Sequence, residues 1–417
     1  MLVFTFPGQG SQRPGMGRLW TTHPSWEVVT EAASVSGRDL GRLLVDAPME
    51  ELTETANAQL TTFVLSLVVL DAVERIGLAP AACAGHSLGE YTALVAGGGV
   101  SFADGLALVA ARGEAMARAG EDAPGTMAAI IGLSDDDAAA ACQRCESDVW
   151  VANYNAPGQV VVAGTTDAVA AVAVIARQLG ARKVLPLPVA AAFHTPLMAG
   201  ARPALRKALG DATFLAPEVP IVANVDARVH HDSSDWPGLL SAQLCSPVRW
   251  RQSLETLAGL GATSFVELGP GGVLSGLARR STPEIRSLSV AKPDDLDRLI
   301  DAVTPHPMLG DDPQVHHGEH LYTRERVVVS PSAGIFTPES TVSAPGTGLL
   351  PGTVAPPVDG ATATESFVDV GALVGRVGVN EVRTPFAGQV IRWLSVSGER
   401  VQEGQPLVWL RVREDRY

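Results

Sequence analysis

Between Cys83 and Tyr91 the chain reads Cys-Ala-Gly-His-Ser-Leu-Gly-Glu-Tyr, and the core Gly85-His86-Ser87-Leu88-Gly89 sets one serine between two residues that lack a β-carbon. This spacing suits a sharp turn between a strand and a helix, with the serine at its apex and backbone packed closely on both sides. Ile76 to Ala84 is short and apolar enough to end in a buried strand, and Glu90 to Ala96 is helix-compatible from its first residue. The helix would aim free N–H groups at the apex, where a developing oxyanion can be stabilised. A chain built around such a turn is an α/β protein whose site lies at the end of a sheet.

Composition agrees with that architecture. The 417 residues exceed one ordinary core and predict two or three domains. Hydrophobic residues make up 46% but aromatic ones only 5%, which favours small-residue helices packed on a parallel sheet over a β-sandwich. A formal net charge of −14 excludes the basic footprint that nucleic-acid binding needs. Four scattered cysteines cannot make a disulfide framework, and Cys142-Gln143-Arg144-Cys145 falls in an alanine-rich helical run with no second pair to complete a metal site. No apolar run is read as a membrane span and the amino terminus lacks the charged start of a signal peptide, so the expected location is the cytoplasm.

Along the chain, Leu2 to Phe6 reads as a strand entering Pro7-Gly8-Gln9-Gly10-Ser11-Gln12. The glycines permit close approach of backbone, so Gln9 is either part of an ordinary turn or an amide donor above the sheet. Gln59 to Arg75 reads as an amphipathic helix, and Ser101 caps a helix that carries Arg112 to about Ala119. Arg112 has mostly apolar neighbours in Leu106-Ala107-Leu108-Val109-Ala110-Ala111-Arg112-Gly113. It requires a partner, either an internal carboxylate or an anionic ligand.

From Met127 to Val189 the pattern is strand, helix, strand, strand, helix, strand, the order of a ferredoxin-like subdomain. The chain then returns through Ala190-Ala191-Ala192-Phe193-His194-Thr195-Pro196. His194 therefore sits at a junction of lobes, where binding clefts are common, and Ser87 needs a base. Pro220 to Asn224 and Ser264 to Leu268 read as further strands, and the second feeds Gly269-Pro270-Gly271-Gly272 and a helix.

Pro7-Gly8-Gln9-Gly10-Ser11-Gln12, Gly85-His86-Ser87-Leu88-Gly89-Glu90, Arg112, Asn155-Ala156-Pro157-Gly158-Gln159, Ala192-Phe193-His194 and Glu267-Leu268-Gly269-Pro270-Gly271 occur in this order. Together they make about the first 290 residues resemble the malonyl-CoA:acyl carrier protein transacylases, a pattern shared with polyketide synthase acyltransferases. The resemblance implies a large hydrolase-like lobe (1–125 and 190–293), with the small lobe (126–189) inserted and the active site between them. It further implies that Ser87 is the acylated nucleophile, His194 its base, and Gln9 with the Leu88 backbone N–H the oxyanion hole. Arg112 would grip the malonyl carboxylate, the Gln243 carbonyl would orient His194, and Phe193 would fill the room that an α-methyl group needs.

The implied reaction moves a malonyl group from coenzyme A to the phosphopantetheine thiol of an acyl carrier protein by ping-pong kinetics, with no metal or redox cofactor. An acyl hydrolase that edits misloaded carriers would use the same Ser87 and His194, but has no use for a cation such as Arg112. A non-catalytic scaffold would need none of the three. Arg249, Arg251, Arg279 and Arg280 are candidates for a basic face that meets an acidic carrier protein.

The tail departs from that family. Residues 294–325 read as a linker, with His316, His317 and His320 as solvated residues rather than metal ligands. Residues 326–417 are β-rich and resemble a biotinyl or lipoyl carrier domain, interrupted by a Pro, Gly, Ser and Thr-rich insertion at about 337–366 that cannot bury a core. The turn that should display the modified lysine looks like Val374-Gly375-Arg376-Val377-Gly378-Val379, and no lysine follows Lys292. The tail is therefore expected to be a degenerate carrier-like module used for docking, dimerisation or packing.

Overall fold

The computed structural model describes residues 1–189, 191–303, 323–339, 367–384 and 388–413. Ala190, the three tail histidines and nearly all of the expected insertion lie outside the described residues. Two units divide the chain, the first made of Met1–Val73 with Ala79–Thr304 and the second holding Pro305–Tyr417.

Among the described residues the first unit has strands β1 (Leu2–Phe6), β2 (Ala82–Gly85), β3 (Thr126–Ile131), β4 (Val149–Ala156), β5 (Gln159–Gly164), β6 (Lys183–Pro186), β7 (Ile221–Val222), β8 (Val229–His230), β9 (Ser264–Leu268) and β10 (Arg286–Val290). Six of them form one sheet in the order β10-β9-β1-β2-β7-β8. All pairings in it are parallel except β7 with β8, so the sheet is mixed, with an antiparallel edge. Val3, Phe4 and Phe6 of the central β1 are fully buried, as a strand covered on both faces requires. Val3 and Phe265 pack with Trp250, Leu254, Leu274 and Leu277, which come from the helices Trp250–Gly259 and Val273–Ser281.

β1 pairs with β2 on one side and β9 on the other, so the chain reverses its direction of travel across the sheet beside β1. The carboxyl ends at such a reversal are where open α/β sheets bind ligands. Phe6 lies opposite Gly85 there, which puts the Pro7–Gln12 loop next to the serine turn. The remaining strands form a second sheet, β4-β5-β3-β6, with every pairing antiparallel and with the helices Asp135–Arg144 and Thr166–Gln178 packed on it.

Two elements differ from the sequence reading. The helix Thr55–Arg75 is buried along nearly its whole length rather than amphipathic, because even Thr61, Thr62 and Ser66 face the interior. By length and composition it would cross a membrane, yet 89% of its most apolar window is buried within the protein. The expected linker begins with the helix Asp295–Val303, which buries Leu296 and Leu299 in the first unit.

In the second unit two four-stranded sheets, all of antiparallel pairs, enclose a core of Val328, Phe336, Val374, Val390, Leu407 and Leu410. The hairpin Leu373–Val377 to Asn380–Arg383 turns at Gly378 and Val379, and Val379 is 90% exposed.

Candidate active site

The turn after β2 has the geometry that its glycines predict. Ser87 adopts φ 55°, a left-handed conformation that costs a residue with a β-carbon about 1–3 kcal/mol. A β-carbon on Gly85 would fall 1.8 Å from the Gly89 carbonyl oxygen, and one on Gly89 would fall 2.0 Å from that of Phe6. Neither backbone can retreat without dismantling the sheet or the helix Gly89–Ala96, so both positions admit only glycine.

The structure brings His194 to Ser87. It also has a left-handed backbone, φ 62°, and its Nε2 lies 2.7 Å from the Ser87 Oγ. Its Nδ1 lies 2.9 Å from the Gln243 carbonyl oxygen, so Nδ1 carries the proton that is donated there, and Nε2 is left free to accept the serine proton. Burial and the nearby Arg112 charge press the His194 pKa down to about 3. The imidazole is thus neutral at physiological pH, the state that a general base requires.

Arg112 is 1% exposed on the helix Phe102–Asp122. Its Nη1 donates to the Gln59 Oε1 at 2.8 Å, and its Nη2 donates to the Gln243 Oε1 at 2.8 Å and to the Ser87 Oγ at 3.1 Å. Among the described residues it has no salt bridge, and its Nε finds no partner. Burial pulls its pKa below the usual arginine value, opposed by Tyr91 and Glu90. Of the two alternatives that the sequence leaves open, the internal ion pair is therefore absent, and a buried cation faces the serine with donors to spare.

Gln9 is half-buried on the loop after β1, and Leu88 is buried directly after the serine. Among the described residues no backbone or side-chain acceptor takes the N–H of either. Phe193 is buried next to His194 in the chain. All seven residues singled out in the sequence thus lie on the turn, on the loop beside it, or on segments that reach it, with Phe193 placed only by its adjacency to His194.

Several supporting residues carry no role in the sequence reading. Gln59 holds the guanidinium, and Asn224 accepts from the Ser87 N–H at 2.7 Å while donating to the Gly85 carbonyl at 2.7 Å. Glu90, fully buried, accepts from the Asn224 backbone N–H at 2.8 Å and from the Gln243 Nε2. Burial raises its pKa to about 7. His86 pairs with the Asn155 Oδ1 at 2.9 Å and packs edge-on against Trp250.

Other clusters do not compete. Burial pushes the Cys142 thiol up to about 12, none of the four cysteines is in a disulfide, and no group of metal-ligating side chains occurs among the described residues. A groove of about 450 Å³ near Arg286 opens at the amino ends of β1, β9 and β10, the opposite end of the sheet from Ser87.

Residues 3–292 match the family model of the acyl transferase domain. The malonyl CoA-acyl carrier protein transacylase of Bacillus subtilis is 37% identical over 304 residues, which cover 72% of this chain and 96% of that protein. The acyl carrier protein S-malonyltransferase of Vibrio cholerae, solved at 1.7 Å, superposes with a TM-score of 0.69 at 38% identity, covering 72% of this chain and 99% of that one. A malonyl-transacylase solved with a type II polyketide synthase acyl-carrier protein superposes with a TM-score of 0.70 at 34% identity, again over 72% and 99%. A strained serine held by a neutral histidine beside a buried arginine, in a chain matched across nearly the full length of these proteins, belongs to the malonyl CoA-acyl carrier protein transacylase family.

Proposed function

We propose that the chain is a malonyl-CoA:acyl carrier protein S-malonyltransferase that works through a malonyl-Ser87 intermediate. The observation that carries this reading is Arg112, a buried guanidinium without a carboxylate partner among the described residues, whose Nη2 lies 3.1 Å from the Ser87 Oγ. A dicarboxylic acyl group supplies the missing anion; a plain acyl group does not. That is also why the editing hydrolase is not favoured.

In the first half-reaction Ser87 gives its proton to the His194 Nε2 as the Oγ attacks the malonyl thioester carbonyl. The Leu88 and Gln9 backbone N–H groups, both without acceptors among the described residues, are assigned to the oxyanion. On collapse the C–S bond breaks, the imidazolium returns the proton to the coenzyme A thiolate, and malonyl-Ser87 remains. In the second half-reaction His194 takes the proton of the phosphopantetheine thiol, the thiolate attacks the ester carbonyl, the C–Oγ bond breaks on collapse, and the proton goes to the departing Ser87 Oγ. Gln243 holds the histidine through its carbonyl and Arg112 through its side chain. Phe193, buried beside His194, is assigned the role of excluding α-branched acyl groups.

The strand order β4-β5-β3-β6 with two helices supports reading the second sheet as a ferredoxin-like insert in the large lobe. For the carrier protein, Arg279 and Arg280 are the better part of the proposed basic face. Arg251 is held by Asp135 at 2.7 Å and Glu255 at 3.1 Å, and Arg249 lies over the Tyr154 ring. We read the second unit as a carrier-like all-β module without its lysine, a reading supported by its two packed sheets and by Val379 standing exposed at the hairpin tip. Ending the chain after Val303 tests its use: unchanged oligomeric state, stability and acceptor kcat/KM would remove that reading. A cytoplasmic setting agrees with four cysteines none of which is in a disulfide.

Intact-protein mass after mixing with malonyl-CoA, methylmalonyl-CoA or acetyl-CoA tests the main proposal. A malonyl adduct that is absent from Ser87→Ala and passes to added carrier protein is the expected outcome. An adduct lost only to water would refute transfer.

A further inference from the structure

The strained serine turn has a support that the reaction scheme does not use. The Asn224 side-chain amide spans the two peptide groups that flank His86, accepting from the Ser87 N–H and donating to the Gly85 carbonyl, each at 2.7 Å. An amide has one accepting end and one donating end, so this pairing sets both its own orientation and the curvature of the turn. Asn224 follows β7, 137 residues along the chain from the serine. It is held there by its backbone, whose N–H donates to the Glu90 Oε1 at 2.8 Å and whose carbonyl accepts from the Arg249 N–H at 2.9 Å.

Glu90 joins this support to another one. Its second oxygen accepts from the Gln243 Nε2, which also donates to the Ser87 carbonyl at 2.8 Å. That leaves the Gln243 Oε1 facing Arg112 and the Gln243 carbonyl facing His194. One buried carboxylate thus ties the holder of the nucleophile to the holder of the base and the cation.

We propose that Asn224 is a positioning residue for acyl transfer, bracing the left-handed Ser87 within reach of His194, with Glu90 as the tie that keeps Asn224 and Gln243 in register. A left-handed serine persists only where its surroundings over-determine it. Without the amide, the Gly85 carbonyl and the Ser87 N–H are left unpaired in a buried site, and the turn relaxes in the direction that carries the Oγ away from Nε2. The malonyl-CoA readout rests on the transferase reading. Attack of Ser87 on a small fluorophosphonate does not, since it needs the serine and histidine alone.

Asn224→Asp separates positioning from simple packing. It keeps the shape and the acceptor for the Ser87 N–H, but when ionised it turns an anionic oxygen on the Gly85 carbonyl. When protonated it donates as the amide does. The charged and titratable groups around the position are Glu90, His86, His194, Arg112, Asp226 and Arg249, and all are common to variant and wild type. The ratio of their rates at each pH therefore reports on position 224.

The test uses the full chain as wild type, Asn224→Asp and Asn224→Ser, measuring fluorophosphonate labelling and malonyl-Ser87 formation from about pH 8 to about pH 5.5, with folding followed by near-UV circular dichroism. Both variants are expected to react about a hundredfold more slowly near pH 8 in both assays, the loss typical of a displacement of about 1 Å. The apparent affinity for malonyl-CoA should stay within about threefold, because Gln59 and Arg112 are untouched. The Asn224→Asp deficit should shrink at least about tenfold toward the acid end, while that of Asn224→Ser should not. A deficit independent of pH in the Asp variant, or labelling of either variant near pH 8 at the rate of the unsubstituted protein, overturns the proposal. Loss of folding in both variants at every pH also overturns it, assigning Asn224 to stability. Wild-type labelling without malonyl-Ser87 formation would instead refute the transferase reading, and the labelling rates would still decide the role of Asn224.

Discussion

Replacing Arg112 with methionine tests whether the guanidinium recognises the acyl group or merely fills space. Methionine keeps an unbranched stem of similar length and removes the charge. The Arg112 Nη2 now bonds the Ser87 Oγ and Gln243, and a carboxylate gripped by a guanidinium takes two parallel N–H···O bonds. Hydrogen bonds to charged groups contribute about 1.5–3 kcal/mol each, so two are worth about 3–6 kcal/mol. At about 1.4 kcal/mol per decade, kcat/KM for malonyl-CoA should fall about a hundredfold to about ten-thousandfold. Acetyl-CoA has no carboxylate to lose, and its own low rate should change by less than about tenfold. The assay is steady-state transfer to carrier protein from each donor, with a thermal melt to show that the variant is folded. An equal fall for both donors would refute the recognition role and leave Arg112 only the task of placing the serine hydroxyl. The same variant should move the acid limb of the acylation profile upward, since the Arg112 charge is one of the causes that press His194 down to about 3.

Gly85→Ala should leave no labelled Ser87 in intact-mass assays, because its β-carbon would overlap the Gly89 carbonyl at 1.8 Å; ordinary activity would refute the close approach. Glu90→Gln should change the pH dependence of stability. Burial raises the Glu90 pKa to about 7, so the folded protein holds that proton more tightly than the unfolded chain; the contribution is full below the unfolded value and is lost as pH rises through about 7. The melting temperature of wild type should accordingly fall relative to the variant between about pH 5 and about pH 8, and a constant difference would contradict the assignment. His194 has the opposite sign: its depressed pKa means stability that is present above the unfolded value of about 6.5 and lost toward about 3, so His194→Gln should melt less steeply with acid. Phe193→Ser should raise methylmalonyl relative to malonyl adducts by about tenfold or more, and an unchanged ratio would remove its steric role.

What was legible in the chain is what a short stretch can specify. The serine turn is set by two glycines four residues apart that must touch backbone, and Arg112 is marked by apolar neighbours that make a cation need a partner from elsewhere. The supports were illegible for the complementary reason. Gln59, Asn224 and Glu90 meet their partners across 53, 137 and 134 residues, and no local pattern separates a buried asparagine after a two-residue strand from an ordinary turn. One signal was available at Gln59. In a helix whose other buried polar residues are threonine, serine and asparagine, a glutamine near the start requires a polar partner, and the charge 53 residues further on supplies it. The helix Asp295–Val303 was lost to the linker for a different reason: nine residues ahead of a proline-rich stretch bury only two leucines well, too little periodicity to outweigh the flanking prolines.

The division has a physical basis. A nucleophile must be exposed to substrate, so the chain marks it locally with the glycines that tolerate strain. The groups that bear the strain must be buried and must come from elsewhere, since within the turn the Ser87 carbonyl takes the Glu90 N–H at 3.1 Å while the Ser87 N–H is met only by a distant side chain among the described residues. Ser87 N–H bonds to Asn224, Ser87 carbonyl to Gln243, and Ser87 hydroxyl to His194 and Arg112, so a single residue gathers four distant segments. Two of those supports meet again on the Glu90 carboxylate. Displacing Asn224 or Gln243 should therefore be felt as a change in the rate at which Ser87 reacts before it is felt as a change in what Ser87 binds.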